Sequence, residues 1–301
     1  MRKLKRRKAN NPPSAWSAQE EMKLLTFLKK DSFDSKKLEK LFPKRTWPSI
    51  KSKVRKMRIK HDLFGQVYRE DKENFTIDIA KKVKPKIVFD AYAGAGHQTF
   101  KWIEIANKVF AAEKVKAKLK QFDRTAGKNG FKKQKGVYNL WKIYTKGRKR
   151  IYFFQGDAID AAADLKVRAI KIDVIDLDTC GSTLPTLPTF LLLLRPKHVL
   201  ITHGEFHSMR FKREDVLRRL LMHRDIKSNP LPLEVDDMCD ELDKAVKVAA
   251  LRAHNETVHS FWLNLMAETW LGGKFHGMLR RHYKVKKPPA TADCINELSK
   301  K

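Results

Sequence analysis

The sequence has 301 residues, of which 42% are hydrophobic and 33% are charged, and its formal net charge is +31. This apolar content allows a substantial core and excludes a chain that is disordered throughout. An excess of positive charge this large favours a polyanionic partner, with nucleic acid the first candidate, because Lys and Arg release counterions from phosphate backbones. The alternative is a solubilising, lysine-rich surface.

The three cysteines, Cys180, Cys239 and Cys294, are too widely spaced for a disulfide framework or a cysteine-based zinc site. We therefore expect no metal and an intracellular location, either cytoplasmic and nucleoid-associated or, in a eukaryote, nuclear. The apolar run 184–194 contains two prolines and is too short to span a bilayer, so no membrane association is expected. A basic N-terminal tail, 1–13, lacks the apolar segment of a signal peptide.

The first fifth of the chain is strongly basic and carries about half of the net charge. Its apolar spacing predicts a helix over 17–30, with Met22, Leu25 and Leu28 near one face. A second, shorter helix ends before Pro43.

A third helix is predicted from Thr46, a suitable N-cap, because Ile50, Val54 and Met57 follow at helical spacing. Its other faces carry the residues that we expect to contact nucleic acid: Lys51, Lys53, Arg55, Lys56 and Arg58.

Two motifs in this segment, Trp16-Ser-Ala-Gln-Glu-Glu21 and Leu38-Glu-Lys-Leu-Phe-Pro-Lys-Arg-Thr-Trp47, together with the basic third helix, resemble a Myb/SANT helix-turn-helix. The resemblance assigns this domain to residues 14–60, with Phe33 or Leu38 in place of the central tryptophan. It implies that the third helix lies in the DNA major groove, and RNA or protein contact is the alternative.

After a linker, 61–84, with a helix over 74–82, the pattern changes to alternating strands and helices, such as the helix predicted over 99–108. Strands are predicted over residues 87–91, 109–112, 151–154, 172–177 and 198–202. This alternation predicts an α/β domain with a parallel, doubly wound sheet. Two long strands, 258–270 and 276–285, then predict an antiparallel hairpin, preceded by an amphipathic helix over 236–254.

The first strand ends in Asp90-Ala-Tyr-Ala-Gly-Ala-Gly96. Gly94 and Gly96 allow a tight turn, and the following helix offers its N-terminus to an anion. A dinucleotide fingerprint would need a third glycine where Thr99 stands, so NAD is disfavoured. A plain turn between strand and helix remains the alternative.

The next strands also end in acids, Glu113, Asp157 and then Asp176 with Asp178. Carboxyl ends of parallel strands meet at one edge of a sheet, where ligands bind. The glycine loop, these acids and the hairpin resemble class I S-adenosylmethionine-dependent methyltransferases over residues 85–287, with a C-terminal tail over 288–301.

That resemblance implies a Rossmann-like, seven-stranded sheet with a C-terminal antiparallel hairpin, preceded by a small three-helix domain. It implies S-adenosyl-L-methionine as the cofactor, with Glu113 binding the ribose hydroxyls and Asp157 the adenine amino group. The implied cofactor-binding residues are Asp90, Tyr92, Gly94, Gly96, Glu113, Asp157 and Ala158.

The segment Asp176-Leu-Asp-Thr-Cys-Gly-Ser182 is similar to the Asp-Leu-Asp-Pro-Phe-Gly-Ser loop of the tRNA guanine-N2 methyltransferase family. The resemblance implies that Asp178, with Asp176, is catalytic and orients an exocyclic amine, although Asp176 could instead be structural. Thr179 and Cys180 replace the Pro and Phe of that loop, and the absence of a Pro-Cys pair disfavours a nucleophilic cysteine.

Two further segments carry candidate residues. Residues 114–150 are rich in Lys and Arg, with interleaved aromatics that could stack on bases or pack in the core: Phe122, Phe131, Tyr138, Trp141 and Tyr144. The basic residues expected to contact nucleic acid are Lys132, Lys133, Arg148, Lys149 and Arg150. The segment His203-Gly-Glu-Phe-His207 lacks helical metal-site spacing and is expected to line a pocket or to be structural.

Together these features predict a methyltransferase that acts on an exocyclic base nitrogen of nucleic acid, with DNA favoured over RNA. The first alternative is a tRNA or RNA methyltransferase of the guanine-N2 type. The others are a non-enzymatic DNA-binding regulator with a methyltransferase-like fold and a protein methyltransferase acting at chromatin.

Overall fold

The structure, a computed structural model, describes residues 15–30, 35–61, 66–135, 140–179, 181–206, 213, 215–217, 221, 235–254, 260–271 and 278–289. Within these ranges it describes only the backbone of residues 29, 30, 35, 58–61 and 66–68. The chain divides into two compact units, Met1–Val67 and Tyr68–Lys301.

The first unit contains α1 (Ala18–Lys30), α2 (Ser35–Leu41) and α3 (Trp47–His61). Their buried side chains form one hydrophobic cluster: Leu24, Leu28, Leu38, Phe42, Ile50, Val54 and Met57. The three predicted helices are thus confirmed. The predicted face of α1 is wrong at Met22, which is 66% exposed, because Leu24 takes the buried position.

The start of α1 is a capping box, in which Ser17 and Glu20 each satisfy the other's backbone N–H. The guanidinium of Arg45 lies 2.7 Å from the Glu20 carboxylate, and this hydrogen bond lowers the pKa of Glu20 to about 2. A charged pair therefore fixes the segment before α3 to the first turn of α1.

The second unit is built on one sheet. Its strands are β1 (Ile87–Asp90), β2 (Lys108–Glu113), β3 (Lys132–Lys133), β4 (Trp141–Lys146), β5 (Lys149–Gln155), β6 (Val174–Leu177), β7 (His198–His203), β8 (Trp262–Leu271) and β9 (Met278–Lys286). Their order is β3-β4-β5-β2-β1-β6-β7-β9-β8. Helix α4 (Gln66–Val83) begins at the last two residues of the first unit and continues into the second. The other helices of the second unit are α5 (His97–Ile105), α6 (Lys116–Lys128), α7 (Ala158–Val167), α8 (Leu187–Leu194) and α9 (Val235–Leu251).

The central strands β5, β2, β1, β6 and β7 are parallel, and β9 and β8 complete the sheet as an antiparallel hairpin. These are the seven expected strands. Two further strands, β3 and β4, extend the edge beside β5 with antiparallel pairing. The sheet therefore has more strands than the seven expected. The side chains of Trp141 and Tyr144 on β4 are buried, so β4 packs as part of the sheet.

Helices cover both faces of the sheet, since alternate side chains of β1 enter two different clusters. Val88 packs in a cluster with residues of α4, α5 and α6, whereas Phe89 packs in a cluster with residues of α7, α8 and α9. Two predicted helix bounds need correction. The helix predicted over 74–82 begins earlier, at Gln66, and the helix predicted over 99–108 ends at Ile105, because β2 begins at Lys108.

The helices in the described part of the chain include none with the length and apolar character needed to cross a membrane.

Candidate active site

The loop between β1 and α5 depends on its two glycines. Gly94 and Gly96 adopt φ values of +54° and +88°, which are strained for other residues. A Cβ on Gly96 would lie 2.8 Å from the rings of Phe100 and Phe122, so a larger residue is excluded there. A Cβ on Gly94 would meet no atom within 4 Å. The loop is therefore packed beneath Gly96 and open at Gly94, where a ligand could approach the backbone.

Asp90 lies beneath this loop rather than on its surface. Its side chain is buried, and its carboxylate Oδ2 accepts a hydrogen bond of 2.6 Å from the hydroxyl of Thr99 in the first turn of α5. Burial, and then the charge of Asp176 on the neighbouring strand, raise the pKa of Asp90 to about 8. Asp90 thus holds the first turn of α5 from inside the fold, with burial opposing its charged form.

Glu113, at the end of β2, faces the same loop. Its carboxylate accepts backbone hydrogen bonds from Gly94 at 3.0 Å and Val115 at 2.6 Å, and the residue is half-buried. The second strand therefore presents a fixed acceptor beside the open position at Gly94. This geometry suits hydroxyl donors such as those of a ribose.

Asp157 begins α7 at the end of β5, as its N-cap. One carboxylate oxygen accepts from the Ile159 backbone at 3.0 Å, and the other lies 3.3 Å from the ammonium of Lys114. The backbone hydrogen bond holds the pKa of Asp157 below its usual value. The neighbouring Ala158 is buried at the start of the helix.

Tyr92 lies in the loop with its ring edge-on to Phe190 of α8, at a centroid distance of 6.3 Å. Burial raises the pKa of its hydroxyl, and the side chain of Thr186 acts in the opposite direction. The ring is half-buried. Tyr92 therefore joins the glycine loop to the segment before α8.

Asp176, at the second-to-last position of β6, is wholly buried. Its Oδ2 accepts hydrogen bonds from the indole of Trp102 at 2.7 Å and from the guanidinium of Arg280 at 2.6 Å. Asp90 is its register partner on β1. Of the two acids predicted to be catalytic, Asp176 therefore lies inside the sheet, whereas Asp178 lies just beyond the carboxyl end of β6.

Arg280 was not among the site residues that the sequence indicated. Its side chain is wholly buried on β9 and donates to the hydroxyls of Thr202 at 2.7 Å and Thr76 at 3.1 Å, besides its pair with Asp176. The available signal was the pair Arg280-Arg281 inside a predicted strand, because a buried charge is costly unless it is paired.

Asp178, just beyond β6, is partly exposed and forms an ion pair of 2.7 Å with Lys72 of α4. Burial opposes its charged form, but Lys72, Arg280 and the hydroxyl of Thr202 together lower the pKa of Asp178 below its usual value. An ionised carboxylate therefore stands at the carboxyl end of the sheet. Lys72 lies in the segment predicted as a linker, and nothing in its local sequence marked it.

The other motif at this edge, after β7, is half described. His203 and Glu205 are both buried, and Nδ1 of His203 lies 3.5 Å from Oε2 of Glu205. Among the residues that the structure describes, the ring nitrogens of His203 and the carboxylate oxygens of Glu205 have no hydrogen-bond partner. A Cβ on Gly204 would lie 2.6 Å from the carbonyl of Gly181, so this segment packs on the loop after β6. His207 and Cys180 lie outside the described residues.

The basic side chains predicted to contact nucleic acid are mostly exposed. On α3, Lys51, Arg55 and Lys56 are exposed, whereas Lys53 pairs with Glu21. The side chain of Arg58 lies outside the described part of the structure.

In the second unit, Lys132, Arg148 and Arg150 are exposed. Lys133 pairs with Asp123 at 3.3 Å, and Lys149 donates to the carbonyl of Glu104 at 2.6 Å.

Four of the five interleaved aromatics of this segment are not available for base stacking. Four of them are buried in the core: Phe122, Phe131, Trp141 and Tyr144. The stacking expectation is therefore wrong for these four residues, because the β3–β4 extension and α6 turn them against the sheet. Tyr138, the fifth, lies outside the described residues.

No protein-family model matches this sequence, and the comparison with curated proteins gives no match. Among solved structures, Trm1 from Pyrococcus horikoshii in complex with S-adenosyl-L-methionine is similar, with a TM-score of 0.57 and 17% sequence identity. The similarity covers 75% of this chain and 57% of Trm1, so the chain spans little more than half of that protein. The chain has a Rossmann-like methyltransferase fold.

Two further structures are more distantly similar. The O-methyltransferase TomG from Streptomyces achromogenes, solved with the same cofactor, has a TM-score of 0.44 and 11% identity, covering 73% of this chain and 86% of TomG. The tRNA m1G37 methyltransferase from M. jannaschii has a TM-score of 0.41 and 10% identity, covering 71% of this chain and 49% of that chain.

Proposed function

We propose that this protein is an S-adenosylmethionine-dependent methyltransferase that acts on an exocyclic nitrogen of a nucleic-acid base. The observation that carries the proposal is the position of the ionised carboxylate of Asp178, beyond β6, beside the strand whose glycine loop is open at Gly94. A ligand site and a carboxylate thus follow adjacent parallel strands at their carboxyl ends.

The residues around the loop fit the cofactor. The open backbone at Gly94 would admit its methionine part, Glu113 would accept from the ribose hydroxyls, and Asp157 would accept from the adenine amino group. The fold shared with Trm1 supports this proposal. When bound, S-adenosylmethionine supplies a methyl group on a positively charged sulfur, so the protein has mainly to position the acceptor.

Asp178 would perform that positioning. Its carboxylate would accept a hydrogen bond from the acceptor amine and direct the nitrogen lone pair at the methyl carbon. The cofactor would supply the methyl group to that nitrogen and would keep the electron pair of its carbon–sulfur bond. The nitrogen then loses a proton to Asp178, which passes it to water.

Nucleic acid is proposed as the substrate because exposed, positively charged side chains lie on both units. The three exposed basic residues of α3 and the exposed residues Lys132, Arg148 and Arg150 provide phosphate contacts on both units. Duplex DNA is the first candidate, on the basis of the basic third helix of the first unit. An intracellular location belongs to the same proposal.

Structured RNA is the second candidate substrate. It is favoured by the loop 176–182, which is similar to that of the tRNA guanine-N2 methyltransferase family.

The test is transfer of labelled methyl groups from the cofactor to duplex DNA, bulk tRNA and cellular protein in parallel. Label on nucleic acid supports the proposal and identifies its type, whereas label confined to protein would overturn it. Titration calorimetry with S-adenosylmethionine separates the enzyme from a regulator that only retains the fold. The absence of heat with wild-type protein would contradict the enzyme assignment.

A further inference from the structure

Helix α4 brings a cation to the proposed acceptor site. The ammonium nitrogen of Lys72 lies 2.7 Å from Oδ2 of Asp178, and the two side chains are only 14% and 19% exposed. Both residues belong to the second unit. Partial burial makes such a pair stronger than an exposed one, because solvent screens it less.

The surrounding charges explain why this lysine matters. The charged and titratable groups that act on Asp178 and its buried neighbours come from three strands and one helix: Asp90 of β1, Asp176 of β6, Arg280 of β9 and Lys72 of α4. The neutral hydroxyl of Thr202 on β7 also acts on Asp178. Arg280 makes its direct ion pair with Asp176, and Asp90 is an acid whose pKa burial raises. The direct countercharge of Asp178 is therefore Lys72.

We propose that Lys72 is a positioning residue for methyl transfer, which holds the carboxylate of Asp178 charged and oriented for the acceptor amine. This inference rests on the proposed function. It assigns the segment before β1 a part in the reaction, besides its packing on the sheet. Lys72 acts through Asp178 and forms no bond with the reacting atoms.

The inference follows because Asp178 must be ionised to accept a hydrogen bond from the amine that receives the methyl group. A protonated carboxylic acid has an O–H that donates a hydrogen bond and has fewer acceptor sites, so it would orient the amine poorly. An opposite charge within about 4–6 Å lowers a carboxyl pKa by about 1–3 units. Loss of Lys72 should therefore leave a larger fraction of Asp178 protonated near neutral pH, without removing any group that contacts the cofactor loop.

The experiment compares the wild-type chain with Lys72→Met and Lys72→Arg. The acidic limb of the kcat/KM profile for nucleic-acid methylation should move to higher pH by about one unit or more in Lys72→Met. Lys72→Arg should restore the wild-type profile, since it retains the charge. Cofactor affinity, measured by calorimetry, should change less than about twofold, a difference well under 1.4 kcal/mol.

A second readout needs no methyl transfer. The carboxyl titration of Asp178 can be followed by carbon-13 NMR, with its signal assigned from its absence in Asp178→Asn. The pKa should rise in Lys72→Met, and Lys72→Gln serves if the Met variant does not fold. An unchanged pKa of Asp178 overturns the inference, whatever the activity. A raised pKa without methyl transfer by the wild-type protein leaves this electrostatic role intact and instead contradicts the proposed function.

Lys101 provides the matched control. It lies on α5 and pairs with Glu104 at 3.1 Å and with Glu73 of α4 at 3.6 Å, so Lys101→Met also removes a lysine that contacts α4. The pH profile should remain that of the wild type in this variant. An equal shift in both variants would show a general charge effect and overturn the inference. A tenfold loss of cofactor affinity in Lys72→Met with an unchanged pH profile would also overturn the inference, because it would indicate that Lys72 binds the cofactor.

Discussion

Arg280 and Asp176 form a 2.6 Å ion pair in which both side chains are wholly buried. The pair joins β9 to β6 across β7, which lies between them in the sheet. Trp102 donates to the same carboxylate oxygen from α5. The antiparallel hairpin at the end of the chain is thereby tied to the strand that precedes the candidate catalytic residue, and to a helix on one face.

Arg280→Met should destabilise the protein by about 3–5 kcal/mol, because the charge of Asp176 would remain buried without its partner. Urea unfolding at pH 7 measures the loss. The double variant Asp176→Asn/Arg280→Met should recover much of it, since the uncompensated charge is removed and Trp102 keeps an acceptor. A double variant no more stable than Arg280→Met would show that the hydrogen bonds to Thr202 and Thr76 matter more than charge.

Gly96→Ala should cost about 2–5 kcal/mol, from backbone strain at positive φ and from the collision of the new methyl group with two phenylalanine rings. Thermal unfolding measures this loss. Gly94→Ala is the matched variant, because its φ is also positive but its surroundings are open. It should lose less stability than Gly96→Ala and more cofactor affinity. The reverse order of stability losses would contradict the packing described at Gly96.

The glycine loop and the strand-end acids could be predicted from the sequence because their signals are local. An apolar run followed by an acid and glycines identifies a strand end without knowledge of its neighbours. An acid after an apolar run likewise indicated Glu113, the last residue of β2, and Asp157, which follows β5 as the N-cap of α7. The same pattern could not show that Asp90 is buried, since burial depends on α5 closing over it.

Asp90→Asn should reduce the fall in stability with rising pH. The pKa of Asp90 is raised to about 8 in the folded protein, so between about pH 4 and pH 8 the folded state holds a proton that the unfolded state has lost. Stability therefore decreases through this window, by at most about 1.4 kcal/mol per pH unit. The urea midpoint at pH 5 and at pH 8 measures the effect. Equal pH slopes for wild type and Asp90→Asn would show that Asp90 is ionised in the folded state.

The sequence did not indicate Lys72 and Arg280 as site residues because their partners are far away in sequence. Lys72 is 106 residues from Asp178, and Arg280 is 104 residues from Asp176. No periodicity or motif connects such pairs, and only the sheet order brings them together. The prediction that the aromatics of residues 114–150 stack on bases was wrong for a related reason. Their spacing fits both an exposed stacking surface and a strand with one buried face, and the pairing of β4 with β5 decides between them.

Asp178→Asn should reduce methyl transfer by at least about 100-fold, because an amide orients the acceptor amine less strongly and cannot take up its proton. Cofactor affinity should be nearly unchanged, since Asp178 lies outside the glycine loop. Single-turnover transfer of labelled methyl groups and calorimetry measure the two quantities. An equal loss of transfer and of cofactor binding would show that Asp178 maintains the structure of the site.

Neutralising the exposed basic residues of α3, in the triple variant Lys51→Gln/Arg55→Gln/Lys56→Gln, should weaken binding to duplex DNA. Each phosphate contact that is lost should lower the slope of log K against log salt by about 0.9. Fluorescence anisotropy at several salt concentrations measures the slope. The control changes three exposed basic residues of the second unit that lie outside both basic segments, Lys166, Lys171 and Arg195, to Gln. The control removes the same net charge. An equal decrease in slope would therefore show that DNA binding depends on the total charge of the protein and not on the basic residues of α3.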